Sequence, residues 1–256
     1  MADPRRDYSV ADYVREASDA VVAILGRGHV PIVVGGSGMY LRGLLKGIVA
    51  APPRDELLRA RLRAMIARFG APRLHRLLAA RDAASAARVR PEDTQRVVRA
   101  LELALPSGET WSETLARSGT WDRDGECFPS LKFVLDLDRT ALAERLASRV
   151  DEFLEAGLAG EVERLLDAGV PPGANAFKGI GYREVLGARI SGSDPKELRE
   201  AIVVATRRYA KRQRTWFRKE PGLIPLDATR GIDALSEQVA AAWREASRSG
   251  GAVPAC

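Results

Sequence analysis

Residues 30–45 read VPIVVGGSGMYLRGLL, and this stretch decides the fold. Its first five residues are apolar and mostly β-branched, which predicts a short buried strand. The glycines and the serine at 35–38 predict a turn, and a helical pattern resumes at Met39. Upstream, residues 12–27 place their apolar side chains at helical spacing. Helix, strand, glycine turn and helix in this order are typical of a doubly wound α/β domain.

The composition and the hydrophobic periodicity of the sequence change after this α/β segment. Residues 54–105 are rich in Arg, Ala and Leu at helical spacing and show no strand pattern. A strand pattern returns at 131–137, LKFVLDL. We therefore predict a discontinuous α/β core and an all-helical insertion. The predicted bounds are 1–51 and 129–246 for the core, 52–128 for the insertion and 247–256 for a disordered tail.

Several helices are predicted in the second half of the core. The longest has a clear start, because Asp194 is a good N-cap, Pro195 suits the first turn and Glu197 completes a capping box. The Pro-Gly pair at 221–222 ends it. The predicted helices cover residues 139–156, 159–168, 195–219 and 232–247, and the last carries an apolar stripe of Ile232, Leu235, Val239 and Trp243.

The composition limits the possible classes of protein. The 256 residues carry a net charge of +6, which suggests a polyanionic partner without naming one. Arginine far outnumbers lysine, and this favours forked contacts to phosphate. With only two cysteines and two histidines, neither a disulfide framework nor a multi-histidine metal site is expected. No apolar run resembles a signal peptide or a membrane span, so a cytoplasmic location is expected.

The glycine turn at 35–38 is the first candidate binding site. Glycines after a strand allow a ligand to approach the backbone, and the start of the following helix offers free N–H groups to an anion. Ser37 adds a hydroxyl group. From spacing alone, a tight turn that binds nothing is the slightly better interpretation, since short glycine motifs are weak signals.

Two helical segments carry arginines that could bind phosphate. Residues 90–102 place Gln95, Arg96 and Arg99 beside an apolar stripe, and these residue types commonly contact phosphates and base edges. Arg145 and Arg149 lie one helical turn apart and repel each other unless an anion bridges them. The alternatives are a solvated helix face in the first case and neutralisation by nearby acidic residues in the second.

Two further motifs suit RNA binding. Residues 177–184, FKGIGYRE, combine two glycines, an aromatic residue and an arginine, although a helix end followed by a helix start would look similar. Residues 206–219, TRRYAKRQRTWFRK, include seven Lys or Arg and no acidic residue. Unbalanced positive charge with interleaved aromatic residues indicates a nucleic-acid surface, with an anionic membrane surface as a weaker alternative.

Together these motifs resemble one family, the tRNA dimethylallyltransferases, also called isopentenyl-diphosphate:tRNA transferases. The resemblance covers nearly the whole chain except its tail, and the last motif is the most specific. The matching stretches occur in the family's order: YSVADY at 8–13, 31–45 with VGGSGMY, 91–102, GIGYRE at 179–184 and YAKRQRTWFR at 209–218.

The resemblance implies a P-loop NTPase-like parallel-sheet core with a helical insertion. It implies transfer of the dimethylallyl group of dimethylallyl diphosphate to N6 of the adenosine that is 3′-adjacent to the anticodon, with Mg²⁺ assisting the departure of diphosphate. The adenine must leave the anticodon-loop stack to react. The implied partners are the tRNA anticodon stem-loop and dimethylallyl diphosphate, with no membrane, and the enzyme is expected to be a monomer.

The resemblance also implies roles for particular residues. Ser37, which stands where the family usually has threonine, and Arg149 are expected to act in catalysis, with no protein metal ligand. The expected diphosphate contacts are Gly35, Gly36, Ser37, Gly38, Arg145 and Arg149. The expected tRNA contacts are Ser37, Arg59, Gln95, Arg96, Val97, Val98, Arg99, Lys178, Gly179, Ile180, Gly181, Tyr182, Arg183, Lys211, Arg212, Gln213, Arg214, Thr215, Trp216, Phe217 and Arg218.

The chain departs from the family pattern at its start. It contains no GxxxxGK[ST] phosphate loop and no Asp-Ser-x-Gln segment, whose aspartate is the family's expected general base. We expect an N-terminally truncated sequence of an enzyme. The alternatives are a non-catalytic RNA-binding remnant and a prenyltransferase acting on free adenine nucleotides. The long basic helix and the helical insertion disfavour the last.

Overall fold

The computed structural model of the chain describes residues 2–49, 54–118 and 125–248. It contains two compact units. The first consists of Met1–Leu45 and Glu126–Cys256, and the second is Lys46–Gly125. None of the helices in the described ranges is long and apolar enough to cross a membrane.

Helices account for most of the described chain, and two short strands complete it. A single 3-10 turn, Asn175–Lys178, precedes α10. In chain order the elements are α1 (Val10–Leu25), α2 (Gly38–Lys46), α3 (Glu56–Phe69), α4 (Ala71–Arg81), α5 (Ala83–Arg88), α6 (Thr94–Ser107), α7 (Trp111–Ser118), β1 (Lys132–Asp136), α8 (Arg139–Glu155), α9 (Leu158–Asp167), α10 (Tyr182–Ser191), α11 (Pro195–Phe217), β2 (Leu223–Asp227) and α12 (Ile232–Arg248).

Helix α11 begins where its sequence predicts. The Asp194 carboxylate accepts hydrogen bonds from the backbone N–H groups of Lys196 and Glu197, both at 2.8 Å. The Glu197 carboxylate accepts in return from the Asp194 N–H at 3.3 Å. These bonds satisfy donors that have no partner inside the helix. The predicted capping box is confirmed.

The described residues form one parallel sheet of two strands, β1 and β2. Lys132 pairs with Leu223, and the register continues to Asp136 opposite Asp227. The sequence did not predict β2, because Pro225 lies in its middle. Proline donates no hydrogen bond, and it is tolerated here because β2 has only one partner strand. The predicted α/β class with a parallel sheet is confirmed.

The prediction of a buried strand at residues 30–34 is wrong. These residues have no regular secondary structure, and Ile32 and Val34 are 83% and 89% exposed. A strand in a parallel sheet needs neighbours to pair with its backbone groups, and β1 and β2 pair with each other in the described part of the chain. Residues 30–34 therefore have the sequence pattern of a strand but no partner strand among the described residues.

The C-terminal helix also differs from its prediction. Ile232, the first residue of the predicted apolar stripe and of the helix, is 82% exposed. Helix α12 continues to Arg248, two residues into the segment predicted to be disordered. The rest of that segment, 249–256, lies outside the described residues.

The main hydrophobic cluster of the first unit lies between helices, while the sheet contributes one buried residue, Leu226 of β2. The cluster includes Val150 of α8, Val162 of α9, and Ile202 and Val203 of α11, each at most 2% exposed. Arg199 of α11 forms a forked pair with Asp151 of α8, at 2.6 and 2.8 Å. A separate core in the second unit packs α3, α4 and α6 around residues that include Leu62, Leu74, Leu78 and Leu101.

Two isoleucines of the first unit test this division between core and surface. We expect Ile202→Ala to lower the free energy of unfolding by about 2–5 kcal/mol, because it leaves a cavity in the core. We expect Ile32→Ala to change it by less than about 0.5 kcal/mol, because the side chain is exposed. Urea titrations of both variants measure the difference. Equal losses would mean that residues 30–34 are packed like a core strand.

Candidate active site

The glycine turn leads directly into α2. The backbone carbonyl of Ser37 accepts hydrogen bonds from the N–H groups of Tyr40 and Leu41, both at 3.1 Å. Ser37 therefore immediately precedes the helix, and the N–H groups of the first turn have no partner within it. Tyr40 stacks on Tyr13 of α1, with ring centroids 4.7 Å apart, and this contact holds α2 in place.

Helix α11 packs closely against the glycine turn. The Gln213 amide donates a hydrogen bond of 2.9 Å from Nε2 to the carbonyl oxygen of Gly36. A Cβ atom on Gly36 would overlap this amide, and one on Gly38 would overlap the ring of Trp216. Gly36 and Gly38 are thus needed for packing, whatever they bind, whereas a Cβ atom on Gly35 would meet nothing within 4 Å. The turn and the basic motif, which are far apart in the sequence, lie against each other.

A charged pair that the sequence did not predict supports this contact. Arg42 of α2 donates to the Glu220 carboxylate at 2.6 Å, and the two side chains are only 24% and 7% exposed. The Arg42 guanidinium also lies 4.5 Å from the centroid of the Trp216 ring. Partly buried, charge-assisted contacts of this kind are strong. Arg42 lies inside the 31–45 motif, so the sequence could have identified it as a site residue. Glu220 lies outside the matched motifs, so its role could not be predicted.

Positive charge covers the exposed part of the C-terminal half of α11. Lys211, Arg212 and Arg218 are exposed and form no ion pair with any acidic residue in the described ranges. Arg214 is 3.7 Å from Asp136 at the end of β1. Thr215 donates its hydroxyl to the Lys211 carbonyl, and Phe217 packs edge-on against Trp216. We call Lys211, Arg212, Arg214 and Arg218 the cationic face.

The two arginines of α8 have different surroundings. Arg145 donates from Nη2 to the carbonyl oxygen of Ala228 at 3.4 Å, immediately after β2. Arg149 is 3.6 Å from Glu152 and its guanidinium lies over the ring of Phe153, so a neighbouring acidic residue balances its charge. Ligands of open α/β sheets bind outside the carboxyl ends of the strands. Arg145 lies at that edge, while Arg149 lies on the helix flank.

The 177–184 motif forms a helix junction. Gly181 has φ of 94°, which favours glycine, and its N–H donates to the Glu184 carboxylate at 2.8 Å. Arg183 pairs with the same carboxylate. The Tyr182 hydroxyl donates to Glu161 at 2.7 Å, and this bond together with burial raises the pKa of Tyr182 to about 12. Of the remaining predicted contacts, Lys178 and Gly179 are exposed and Ile180 packs against the core.

A buried carboxylate organises the predicted arginines of the second unit. The Glu102 side chain is 2% exposed and accepts from Arg59 Nε at 2.9 Å, Arg59 Nη2 at 3.1 Å and Arg99 Nη1 at 2.7 Å. It also accepts from the Asp55 N–H at 2.6 Å. Burial alone would raise the pKa of Glu102, but these hydrogen bonds outweigh it and lower the pKa.

The rest of the 90–102 motif divides between core and surface. Val97 and Val98 are 1% and 6% exposed, so their side chains belong to the core and are not available as surface contacts. Gln95 and Arg96 are exposed, and the Arg96 guanidinium lies 3.3 Å from the Asp93 carboxylate. The polar side chains of this turn remain candidates for RNA contact, while the valines hold the helix in place.

The whole chain is similar to proteins of one family. The profile of the IPP transferase family matches residues 1–220. The tRNA dimethylallyltransferase of Geobacter sulfurreducens is 38% identical over 236 residues, which are 92% of this chain and 75% of that protein. The tRNA dimethylallyltransferase of Thermomicrobium roseum is 39% identical over 254 residues, or 98% of this chain and 75% of that protein.

Solved structures agree with the sequence comparisons. A tRNA isopentenylpyrophosphate transferase from Bacillus halodurans is 29% identical, with a TM-score of 0.64 over 97% of this chain and 78% of that one. A eukaryotic dimethylallyltransferase acting on tRNA is 25% identical, with a TM-score of 0.77 over 100% of this chain and 66% of that one. The predicted family and the predicted P-loop NTPase-like fold class are confirmed.

Arg59 and Arg96 provide a matched pair of substitutions in the second unit. We expect Arg59→Ala to lower the free energy of unfolding by about 3 kcal/mol, because it leaves the Glu102 carboxylate buried with fewer partners. Arg96 is 74% exposed, and we expect Arg96→Ala to change stability by less than about 0.5 kcal/mol. Denaturant titrations of both variants provide the test. Similar small effects would mean that the Arg59–Glu102 contact does not stabilise the fold.

The network should also make stability depend on pH. The folded-state pKa of Glu102 is below its unfolded value, so its ionisation stabilises the chain above the ordinary glutamate pKa of about 4.3. This contribution is lost as the pH falls through the folded-state pKa. We expect the stability advantage of the unaltered chain over Glu102→Gln to shrink as the pH falls below about 4.3. The test is to measure the unfolding midpoints of both proteins from neutral to acidic pH. A difference between the two midpoints that did not change with pH would contradict the prediction.

Proposed function

The chain belongs to the IPP transferase family, and we propose that it transfers a dimethylallyl group from dimethylallyl diphosphate to N6 of the adenosine 3′-adjacent to the anticodon of tRNA. The observation that carries this proposal is the contact between the glycine turn and α11. One side of this helix meets a turn suited to an anion, and another side carries cations suited to RNA. A transferase of this type needs both.

The cationic face supports tRNA as the acceptor. Lys211, Arg212 and Arg218 are exposed and lack acidic partners among the described residues, so their charge is available to a polyanion. Neutralising phosphates and releasing their counterions supplies most of the affinity in such contacts. Gln95 and Arg96 of the second unit would add contacts of their own. A free nucleotide would need no cationic surface of this length.

The glycine turn and α8 support diphosphate as the leaving group. In the proposed step the N6 nitrogen attacks C1 of the dimethylallyl group, the C1–O bond breaks, and diphosphate departs with the electron pair. The nitrogen then loses one proton to solvent water. Ser37, the N–H groups at the start of α2, and Arg145 and Arg149 would stabilise the negative charge that develops on diphosphate. The glycine-turn motif itself contains no carboxylate that could accept the proton.

A resident Mg²⁺ does not fit the described residues. No group of three or more His, Cys, Asp or Glu side chains within them is arranged to hold a metal ion. The Asp136 and Asp227 carboxylates end neighbouring strands, but they face Arg214 and Thr229 respectively. We therefore assign to the residues of this chain only the binding of diphosphate by cations and N–H groups, and we propose no step through a metal.

RNA binding without turnover is a second candidate function. One observation favours it, since the exposed cations Lys211, Arg212 and Arg218 can bind RNA whether or not a transfer follows. The two functions share the cationic face and differ only in whether the chain completes the transfer.

A transfer assay on this chain, with dimethylallyl diphosphate, Mg²⁺ and an anticodon stem-loop, distinguishes the two functions when combined with an RNA-binding titration. Turnover would establish the transferase activity. Binding without turnover would support the RNA-binding alternative. If the stem-loop bound no better than an unrelated polyanion at the same salt concentration, both proposals would be wrong.

Arg218 offers a sharper test of the cationic face. We expect Arg218→Ala to weaken binding to all RNA sequences alike and to reduce the slope of log K against log salt concentration by about one, because one phosphate contact is lost. Lys196→Ala is the control, since Lys196 is exposed on the same helix roughly 30 Å away. An unchanged slope for Arg218→Ala would argue against a phosphate contact at this residue.

A further inference from the structure

We propose that Gln213 and Trp216 are positioning residues that hold the glycine turn in the shape that binds diphosphate, while the opposite side of α11 binds RNA. This inference rests on the proposed transferase function. It separates two roles within residues 211–218, all of which were predicted to contact tRNA. The separation follows from the direction in which each side chain leaves the helix.

The Gln213 side chain is committed to the turn. Its Nε2 donates to the Gly36 carbonyl at 2.9 Å, and the side chain is half-buried in that contact. An amide that reads a base edge uses its oxygen and its nitrogen together, in a forked contact. Donation to Gly36 is incompatible with that use, because the amide is already turned toward the turn backbone. The bond instead fixes the orientation of the peptide that precedes Ser37.

The Trp216 ring also packs against the glycine turn. The ring lies so close to Gly38 that any side chain there would overlap it, and the Arg42 guanidinium lies over the ring. Arg42 is in turn held by Glu220, whose side chain is 7% exposed. The Trp216 ring thus packs against Gly38 in the first turn of α2. The N–H groups that would bind an anion belong to this same turn.

Helical geometry separates these residues from the RNA-binding cations. Successive residues of an α-helix are about 100° apart around its axis, so Gln213 and Trp216 share one side. Lys211 and Arg218 fall on the opposite side and are exposed. A single rigid helix therefore sets the distance between the RNA and the turn. Changes on one side should affect only one of the two ligands.

The experiment measures two affinities for each variant of the full chain. Calorimetry with inorganic diphosphate reports on the turn, and a titration with the anticodon stem-loop reports on RNA. We expect Gln213→Leu to weaken diphosphate binding roughly tenfold, the effect of losing one hydrogen bond, while RNA affinity changes less than about twofold. We expect the opposite pattern for Lys211→Ala, which is the matched control on the other side of the helix.

A second substitution approaches the same contact from the turn. In Gly36→Ala the new methyl group would displace the flexible end of Gln213, so we expect the same loss of diphosphate affinity. Because both changes break one contact, the double variant should bind diphosphate no more weakly than either single variant. Thermal melts check that each variant is folded. Additive losses in the double variant would overturn the positioning role.

The outcomes also separate this inference from the proposed function. If the unaltered chain binds both ligands but Gln213→Leu loses RNA affinity and keeps diphosphate affinity, then Gln213 is an RNA contact and only the inference fails. If the unaltered chain does not bind diphosphate, the inference and the transferase proposal fail together.

Discussion

The missing side chains at Gly36 and Gly38 are the constraint on which the candidate site depends. They allow α11 to lie against the glycine turn, where Gln213 bonds to the backbone and Trp216 covers the start of α2. The same helix joins α8 through the Arg199–Asp151 pair and approaches the end of β1 through Arg214. One helix therefore connects the turn, the hydrophobic core and the carboxyl edge of the sheet. Its buried residues, Ile202 and Val203, anchor the helix in that core.

The helices could be predicted from the sequence because their determinants are local. The capping box at Asp194 acts within a few residues, and α11 ends at Phe217, two residues before the end predicted from the Pro-Gly pair. The strands could not be predicted in the same way. Residues 30–34 have the composition of a strand but lack a partner among the described strands, whereas β2 contains Pro225 and still pairs with β1. Strand formation depends on distant neighbours, which periodicity does not reveal.

The candidate site was predictable at the level of motifs but not of side chains. The motifs identified the family and the correct segments, yet Val97 and Val98 point into the core and Arg59 is bound to a buried carboxylate. The sequence carried one signal for that network, since Glu102 stands three residues after Arg99 on the same helix, the spacing of an ion pair. Glu102 and Arg59 are 43 residues apart in the sequence and lie on different helices, so their contact could not be predicted from local spacing.

The cationic face also affects the protein when no RNA is present. Lys211, Arg212 and Arg218 lie within two turns of one helix and repel one another, because no acidic residue in the described ranges offsets them. Dissolved salt screens this repulsion over about 8 Å at physiological ionic strength, and it weakens the attraction to phosphate at the same time. The two effects have opposite consequences. The ionic strength that best stabilises the free helix end is therefore the one at which the proposed binding of RNA would be weakest.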